Sequence, residues 1–278
     1  MARACGRGLK WFFFQEALLS SIDLTRDGVI ATVAINNPAK LNALTVSMWR
    51  ELARVMHELS GDDSVRCVVL RGAGEEAFGA GADIAEFATQ RNNVEQGKTY
   101  HLETVATALK ALAECRHPTV ALIKGACASG GLELACCCDL RIAGASARLG
   151  VPINRLGFAL AYGELAGLIA VAGRAVAAEI LIEGRMWRAD EAFAKGLLTR
   201  VVADDKVIDE AYATARRIAD GAPLVARWHK QFIRRLTPQA TPLTAVEINA
   251  NFDYFKTEDY RIGYDAFINK TKPVFKGK

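Results

Sequence analysis

Proline is scarce and glycine shows no period: 7 and 23 residues out of 278, which excludes a collagen-like or linker-like polymer. No run of about 18 uncharged apolar residues occurs, so no segment reads as a bilayer span. The longest apolar stretch, Leu165 to Ile182, is interrupted by Arg174 and Glu179 and reads as a helix of a soluble domain. Cysteines in paired metal spacing are missing. The seven (Cys5, Cys67, Cys115, Cys127, Cys136, Cys137, Cys138) are odd in number, and the three consecutive ones sit in an apolar run, where cysteine behaves as a small hydrophobe. No metal site is therefore expected, and a reducing cytoplasm is the natural compartment. A strong excess of one charge is also missing. The 35 basic and 31 acidic side chains leave +4, gathered at the two ends around a mildly acidic middle, and this offers no nucleic-acid footprint. The basic tail is either simply solvated or a docking point for a polyanionic small molecule.

What is present is an apolar chain, 51% hydrophobic, able to offset its ordering entropy by burial. Its length suits one large domain, or a core with a smaller appendage. Residues 1–20 carry basic groups and an aromatic patch, but Gln15 and Glu16 interrupt any signal-like core, and the segment reads as an irregular N-terminal extension. Short runs rich in Val and Ile at Val29–Asn36, Val65–Arg71, Val120–Lys124, Leu140–Ala143 and Leu198–Val202 predict strands. Between them, Thr45 as N-cap, the Met48, Leu52, Val55, Met56, Leu59 stripe and Gly61 as stop predict one helix, and Leu102–Leu112 predicts another. This alternation makes residues 21–203 an α/β core. Helical spacing then dominates residues 204–278, punctuated by Pro223, Pro238 and Pro242, as a C-terminal region packed on the core or holding a partner subunit.

Three glycine-bearing loops follow predicted strands: Gly72–Asp83, Gly125–Gly131 and Gly150–Gly163. Glycine there lets a ligand approach the backbone and leaves N–H groups free to donate. Gly72 to Ala77 matches a loose dinucleotide fingerprint, but Phe78-Gly-Ala-Gly81 follows where that fold needs a helix to open, so the nucleotide reading fails. Ser129, His117 and Asp139 lack the spacing of a nucleophile elbow and are not expected to form a triad. The second loop runs into an almost wholly apolar helix whose first turn carries Glu133. Either Glu133 satisfies the helix N-terminus, or it is an embedded carboxyl whose desolvation raises its pKa into general acid/base range. A helix start that favours negative charge, with a carboxyl one turn in, can serve as an oxyanion site with an adjacent acid/base.

Three segments in register, Asn36-Asn-Pro-Ala-Lys-Leu-Asn-Ala-Leu44, Ala77-Phe-Gly-Ala-Gly-Ala-Asp-Ile84 and Lys124-Gly-Ala-Cys-Ala-Ser-Gly-Gly-Leu-Glu-Leu-Ala-Cys-Cys-Cys-Asp139, resemble the enoyl-CoA hydratase/isomerase (crotonase) family. Similarity continues through Leu156-Gly157, Glu191-Ala-Phe-Ala-Lys-Gly-Leu197 and Lys272-Pro-Val-Phe-Lys276. The resemblance implies an α/β, crotonase-like spiral of ββα units with a C-terminal helical trimerisation region, assembled as a homotrimer or dimer of trimers. It implies an acyl-CoA thioester as substrate, with coenzyme A present only as part of it. The Ala82 and Gly130 N–H groups would polarise the thioester carbonyl and Glu133 would act as acid/base. Lys40 and the Ala82, Asp83, Ile84 and Ala85 backbone, with Gly130, would line the coenzyme, and Lys270, Lys272 and Lys276 are candidates for its phosphates. Phe87, Leu109, Phe158 and Tyr162 would shape the acyl pocket.

One departure from the family pattern bears on the reaction. Where family hydratases carry a second glutamate, this sequence has Ile153, and the stretch that follows reads Ala159-Leu-Ala-Tyr-Gly-Glu164. Three readings follow: Glu133 works alone, Glu164 or Tyr162 supplies the missing group, or the fold performs another enolate reaction such as decarboxylation or carbon–carbon cleavage. Losing one acid/base typically lowers rate about 10²–10⁴-fold, so ordinary hydration without a substitute is disfavoured. An acyl-CoA-binding protein that lost its chemistry is the non-enzymatic alternative.

Overall fold

The structure is a computed structural model that describes residues 20–237 and 242–278. The expected N-terminal extension, apart from Ser20, and Pro238 lie outside the described residues. Among the described residues, ten strands form two sheets. The larger contains β1 (Ser21–Asp27), β2 (Ile30–Asn36), β3 (Cys67–Gly72), β5 (Thr119–Ile123), β7 (Leu140–Gly144) and β10 (Arg200–Val202), in the order β1-β2-β3-β5-β7-β10. Within this sheet only the β1–β2 pair is antiparallel. The smaller sheet, β4-β6-β8-β9, is built from β4 (Ala77–Gly79), β6 (Ala126–Ala128), β8 (Arg148–Gly150) and β9 (Trp187–Arg188).

Three successive turns of the chain each place one strand in each sheet and then a helical segment. After β3 and β4 come the short α2 (Phe87–Gln90), then α3 (Val94–Lys98), which runs through a π-helical stretch, Thr99–Val105, into α4 (Ala106–Glu114). After β5 and β6 comes α5 (Gly130–Cys137), and after β7 and β8 comes α6 (Tyr162–Glu183). This is a right match to a spiral of ββα units. Strand β5 is buried on both faces and β3 nearly so, as parallel central strands covered on each side must be. Helix α1 (Val46–Gly61) buries the expected stripe, and the Thr45 hydroxyl accepts from the Met48 N–H at 3.2 Å.

The expected strands match five of the six strands of the larger sheet and none of the smaller one. Strands β4 and β6 sit within the glycine loops Gly72–Asp83 and Gly125–Gly131, where a run such as Ala126-Cys-Ala128 is too short to show a period of two. Strand β1 was also unforeseen: Ile22 and Leu24 alternate with polar residues along a half-exposed edge.

Helix α6 contains the long apolar stretch, yet Gly173 (φ +78°, ψ 170°) breaks it into segments 162–172 and 174–183. Each is far short of the roughly 20 residues a span requires. The helices after Asp204 include α7's successors in two roles, α7 itself being Ala189–Ala194. Helix α8 (Val207–Ala219) covers the back of the larger sheet with Val207, Ala211, Ala215 and Ala219 against Val69, Val120 and Ile142. Helix α9 (Pro223–Leu236) leaves Trp228, Phe232, Ile233 and Leu236 exposed, and α10 (Ala245–Ala250) and α11 (Glu258–Ile268) complete the chain.

Candidate active site

Two glycine loops meet at the N-terminus of α5. Leu44 pins the first: its N–H donates to the Gly81 carbonyl at 2.7 Å and its carbonyl accepts from Asp83 N–H at 2.8 Å. The Ala82 N–H between them has no partner among the described residues. In the second loop, Gly130 opens α5, where an N–H has no intrahelical acceptor. Ser129 before it adopts φ +46°, an uncommon conformation for a residue with a side chain. The loops are in contact: a Cβ on Gly81 (φ +102°) would lie 2.9 Å from Ser129 Cβ and 3.3 Å from the Gly130 nitrogen. Gly131 is packed as tightly on the first loop, since a Cβ there would sit 2.2 Å from the Gly79 carbonyl oxygen. The far end of α5 is held by the buried Arg141, whose guanidinium donates to the Cys138 carbonyl and, through Nε, to Leu197 O at 2.9 Å. Cations suit a helix C-terminus.

A cavity opens beside this junction, lined by Ala82, Ile84, Gly130, Glu133, Ile153 and Glu164 among others. Glu133 is 7% exposed and makes no hydrogen bond to the described residues, so the embedded-carboxyl reading holds and the helix-capping one does not. Burial first, then the neighbouring Glu164, raise its pKa well above the ordinary carboxyl value, while Arg91 pulls the other way. The flanking cysteines are inert by the same physics: burial pushes the Cys136 and Cys138 thiols up to about 12.

Of the two candidates for a second acid/base group, Glu164 reaches the cavity and Tyr162 does not. Tyr162 is 41% exposed, with its N–H on Asn251 Oδ1 at 3.2 Å. Glu164 is buried; its Oε2 accepts from Ala161 N–H at 2.9 Å and its Oε1 is hydrogen-bonded to His101 Nδ1. Burial lowers the His101 pKa, and its Nε2 has no partner among the described residues. Ile153 also faces the cavity, so no proton is held at that position.

The other expected residues divide. Phe87 and Phe158 line the cavity, whereas Leu109 lies in the general core and does not. Lys40 pairs with Asp83 at 2.6 Å, and the other Asp83 oxygen accepts from Ala85 N–H at 3.1 Å, so these residues brace the loop edge. Lys276 is drawn to Glu258 at 3.1 Å, while Lys270 and Lys272 are exposed. Ser129 lines the cavity without His117, which is buried against the Leu59 carbonyl, or Asp139, which accepts from Thr119; there is no triad. Arg91, Tyr100, His101 and Trp49 line the cavity unforeseen. Trp49 donates to the Tyr100 hydroxyl at 3.1 Å. The π-helical stretch brings Tyr100 and His101 in, and nothing in local spacing announces such a stretch.

Comparison with known proteins gives the family. The family model for enoyl-CoA hydratase/isomerase matches residues 25–278. The short-chain-enoyl-CoA hydratase of Clostridium acetobutylicum is 34% identical over 255 residues, covering 91% of this chain and 97% of that one. The crystal structure of an enoyl-CoA hydratase/carnithine racemase from Magnetospirillum magneticum is 50% identical, with a TM-score of 0.77 over 92% of this chain and 96% of that one. Methylmalonyl-CoA decarboxylase in complex with 2-nitronate-propionyl-CoA superposes with a TM-score of 0.82 over 92% of this chain and 98% of that one, at 24% identity, a likeness of fold alone. The chain is an enzyme of the enoyl-CoA hydratase/isomerase family, built on the crotonase fold.

Proposed function

We propose that this enzyme adds water across the conjugated double bond of an enoyl-CoA thioester, with Glu133 and Glu164 as its two proton-handling groups. The observation that carries the reading is that both carboxyls line one cavity beside the Ala82 and Gly130 N–H groups. Those two donors hold the thioester oxygen, the coenzyme running out along Ile84, Asp83 and Ala85 toward Lys40. As the water oxygen bonds to the β-carbon, its proton passes to the Glu164 carboxylate and the double-bond electrons move to the thioester oxygen. The resulting enolate is stabilised by N–H donors fixed before reaction, which need no reorganisation. Glu133, whose raised pKa keeps its proton available, then protonates the α-carbon, and solvent resets both carboxyls. Ile153 favours a second reading, in which Glu133 alone moves a proton between the α- and γ-carbons and shifts the double bond.

Incubation with trans enoyl-CoA thioesters of short, medium and aromatic type decides between them. Loss of conjugated thioester absorbance with incorporation of water supports hydration, and a displaced double bond supports the isomerase. Tight binding without conversion of any thioester overturns both in favour of an acyl-CoA-binding protein. Glu133→Gln should lower turnover by about 10²–10⁴-fold while leaving thioester binding in place, and unchanged turnover removes Glu133 from the mechanism. The same reading carries a homotrimer or dimer of trimers in the cytoplasm. The exposed Trp228, Phe232 and Leu236 of α9 support a subunit contact there, and the buried free thiols suit a reducing compartment. Sedimentation checks the assembly.

A further inference from the structure

We infer that Arg91 is a carboxylate receptor in the acyl pocket, so that the thioester this enzyme prefers carries a second carboxylate on its acyl chain. The inference rests on the acyl-CoA reading of the cavity and adds the substrate class to it.

Arg91 directly follows α2, its N–H donating to Phe87 O at 2.9 Å and its carbonyl accepting from the Tyr260 hydroxyl at 3.3 Å. Its side chain runs into the cavity wall and the residue is 2% exposed. Two other basic residues among those described are buried to a similar degree, and both are paired: Lys230 with Asp139 at 2.8 Å, and Arg141 with backbone carbonyls. Arg91 differs. No carboxylate of the described residues lies within ion-pair distance, and its Nε and Nη2 have no hydrogen-bond partner among those residues, the neighbouring Tyr254 hydroxyl being likewise unpartnered.

Aromatic rings surround the guanidinium instead. Its carbon lies 4.1 Å from the Phe87 ring centre, 4.6 Å from Phe158 and 5.0 Å from Tyr100. Rings stabilise the faces of a guanidinium through their quadrupoles, but they accept nothing from its in-plane N–H groups. The edge is therefore a preorganised, water-poor fork looking for a planar acceptor with two oxygens. The cavity's own carboxyls do not serve. Glu164 is engaged by His101 and Ala161, and Glu133 stands beyond ion-pair distance. A plain hydrocarbon acyl chain would need only Ile153, Phe87 and Phe158, and would leave the edge of the guanidinium without a hydrogen-bond acceptor. A carboxylate at the end of the acyl chain answers it.

The pairing also says what becomes of that carboxylate. Decarboxylation must draw its negative charge away toward the enolate, and a guanidinium holding the ground-state carboxylate opposes that movement. The group is an anchor and stays on the product.

The test compares glutaconyl-CoA and its next two longer homologues with the matching enoyl-CoA thioesters in which an isopropyl group replaces the carboxylate. The wild-type enzyme should favour the best carboxylated member in kcat/KM by roughly 100-fold. Arg91→Met should erase that preference, lowering the carboxylated series by roughly 100-fold more than the isopropyl series, and Arg91→Lys should fall between. A merely structural role would lower both series together and overturns the inference. If Arg91→Met does not fold, the wild-type comparison stands by itself, and equal rates on the two series overturn the inference. Release of carbon dioxide also overturns it. If no member of either series is converted, the hydration reading falls, while equilibrium binding of the two series still decides the receptor: tighter binding of the carboxylated series upholds it, and equal affinity overturns it.

Discussion

Helices α5 and α6 both start in the wall of one cavity, and each brings a glutamate in from its first turn. The first is buried along nearly its whole length, with Gly131 against the backbone of β4 and Arg141 on its C-terminal carbonyls. The second buries only Glu164, Leu168, Ala177 and Ile180 and is broken at Gly173. The carboxyls differ in the opposite sense. Glu133, on the tightly held helix, makes no hydrogen bond, whereas Glu164, on the loosely held one, is fixed by His101 and Ala161. Side chains of one type at similar helix positions are thus given different environments, which is how a single cavity can hold a proton donor and a proton acceptor together.

If α5 owes its role to rigidity, crowding its first turn should do the most damage. In Gly131→Ala the added methyl would lie 2.2 Å from the Gly79 oxygen, so either β4 or the helix start must move. Overpacking of this kind lowers stability by about 1–3 kcal/mol. Displacing the Gly130 N–H should cost turnover about 10²–10³-fold, the usual effect of losing one oxyanion donor. Thermal melts and kcat measured together check this, and wild-type turnover in a folded variant would separate α5 from the oxyanion site.

The second break is Glu164→Gln. The amide oxygen can still accept from Ala161 N–H, so α6 should keep its start, but the side chain can no longer take a proton from water. Turnover should fall by about 10²-fold with little change in melting temperature. Equal losses in Glu133→Gln and Glu164→Gln for hydration, with isomerisation retained by Glu164→Gln, would assign the two carboxyls to separate reactions.

How much of this contrast could be read from sequence depends on whether the signal is local. Thr45, the α1 stripe and the Val-rich central strands act through their neighbours in the chain, and the structure bears them out. Glu133 was legible because it is the lone carboxyl in a helix with no polar face. Glu164 could be seen only as one of two candidates, since its burial depends on His101, 63 residues away. Arg91 gave no sign at all: a single arginine between short helices looks solvated until Phe87, Tyr100 and Phe158 close around it. The short strands of the second sheet were hidden because their pairing partners lie about 22 to 49 residues away and local propensity has little say over two or three residues.

The unequal carboxyls should also separate in the pH dependence of stability. Between the ordinary glutamate value of 4.5 and its raised native value, the folded enzyme keeps a proton on Glu133 that the unfolded chain has released. The native state then binds more protons, so this contribution to stability falls as pH rises through that window. His101 has the other sign: burial lowers its pKa, so its contribution rises with pH up to its ordinary value of 6.5. Glu133→Gln should remove only the first slope, leaving the variant more stable than wild type above the window and similar to it below. Denaturant melts across pH check this. Parallel wild-type and variant curves would mean that Glu133 is solvated in the native state.

The smallest expected effect is the counterpart of Gly131→Ala on the other helix. Gly163 lies in the first turn of α6, and a Cβ built there meets nothing within 4 Å. Its backbone is not in the positive-φ region that favours glycine, so alanine fits without strain. Gly163→Ala should therefore stabilise the protein by about 0.5–1 kcal/mol, by restricting the unfolded chain. Turnover should stay within about twofold, because no amide of that turn is asked to hold the substrate oxygen. The same substitution, glycine to alanine in the first turn of a helix at the same cavity, then gives opposite signs in α5 and α6. If Gly163→Ala instead lowers turnover as Gly131→Ala does, the opening of α6 is as tightly fitted around the substrate as that of α5, and the difference between the two helices lies outside the cavity.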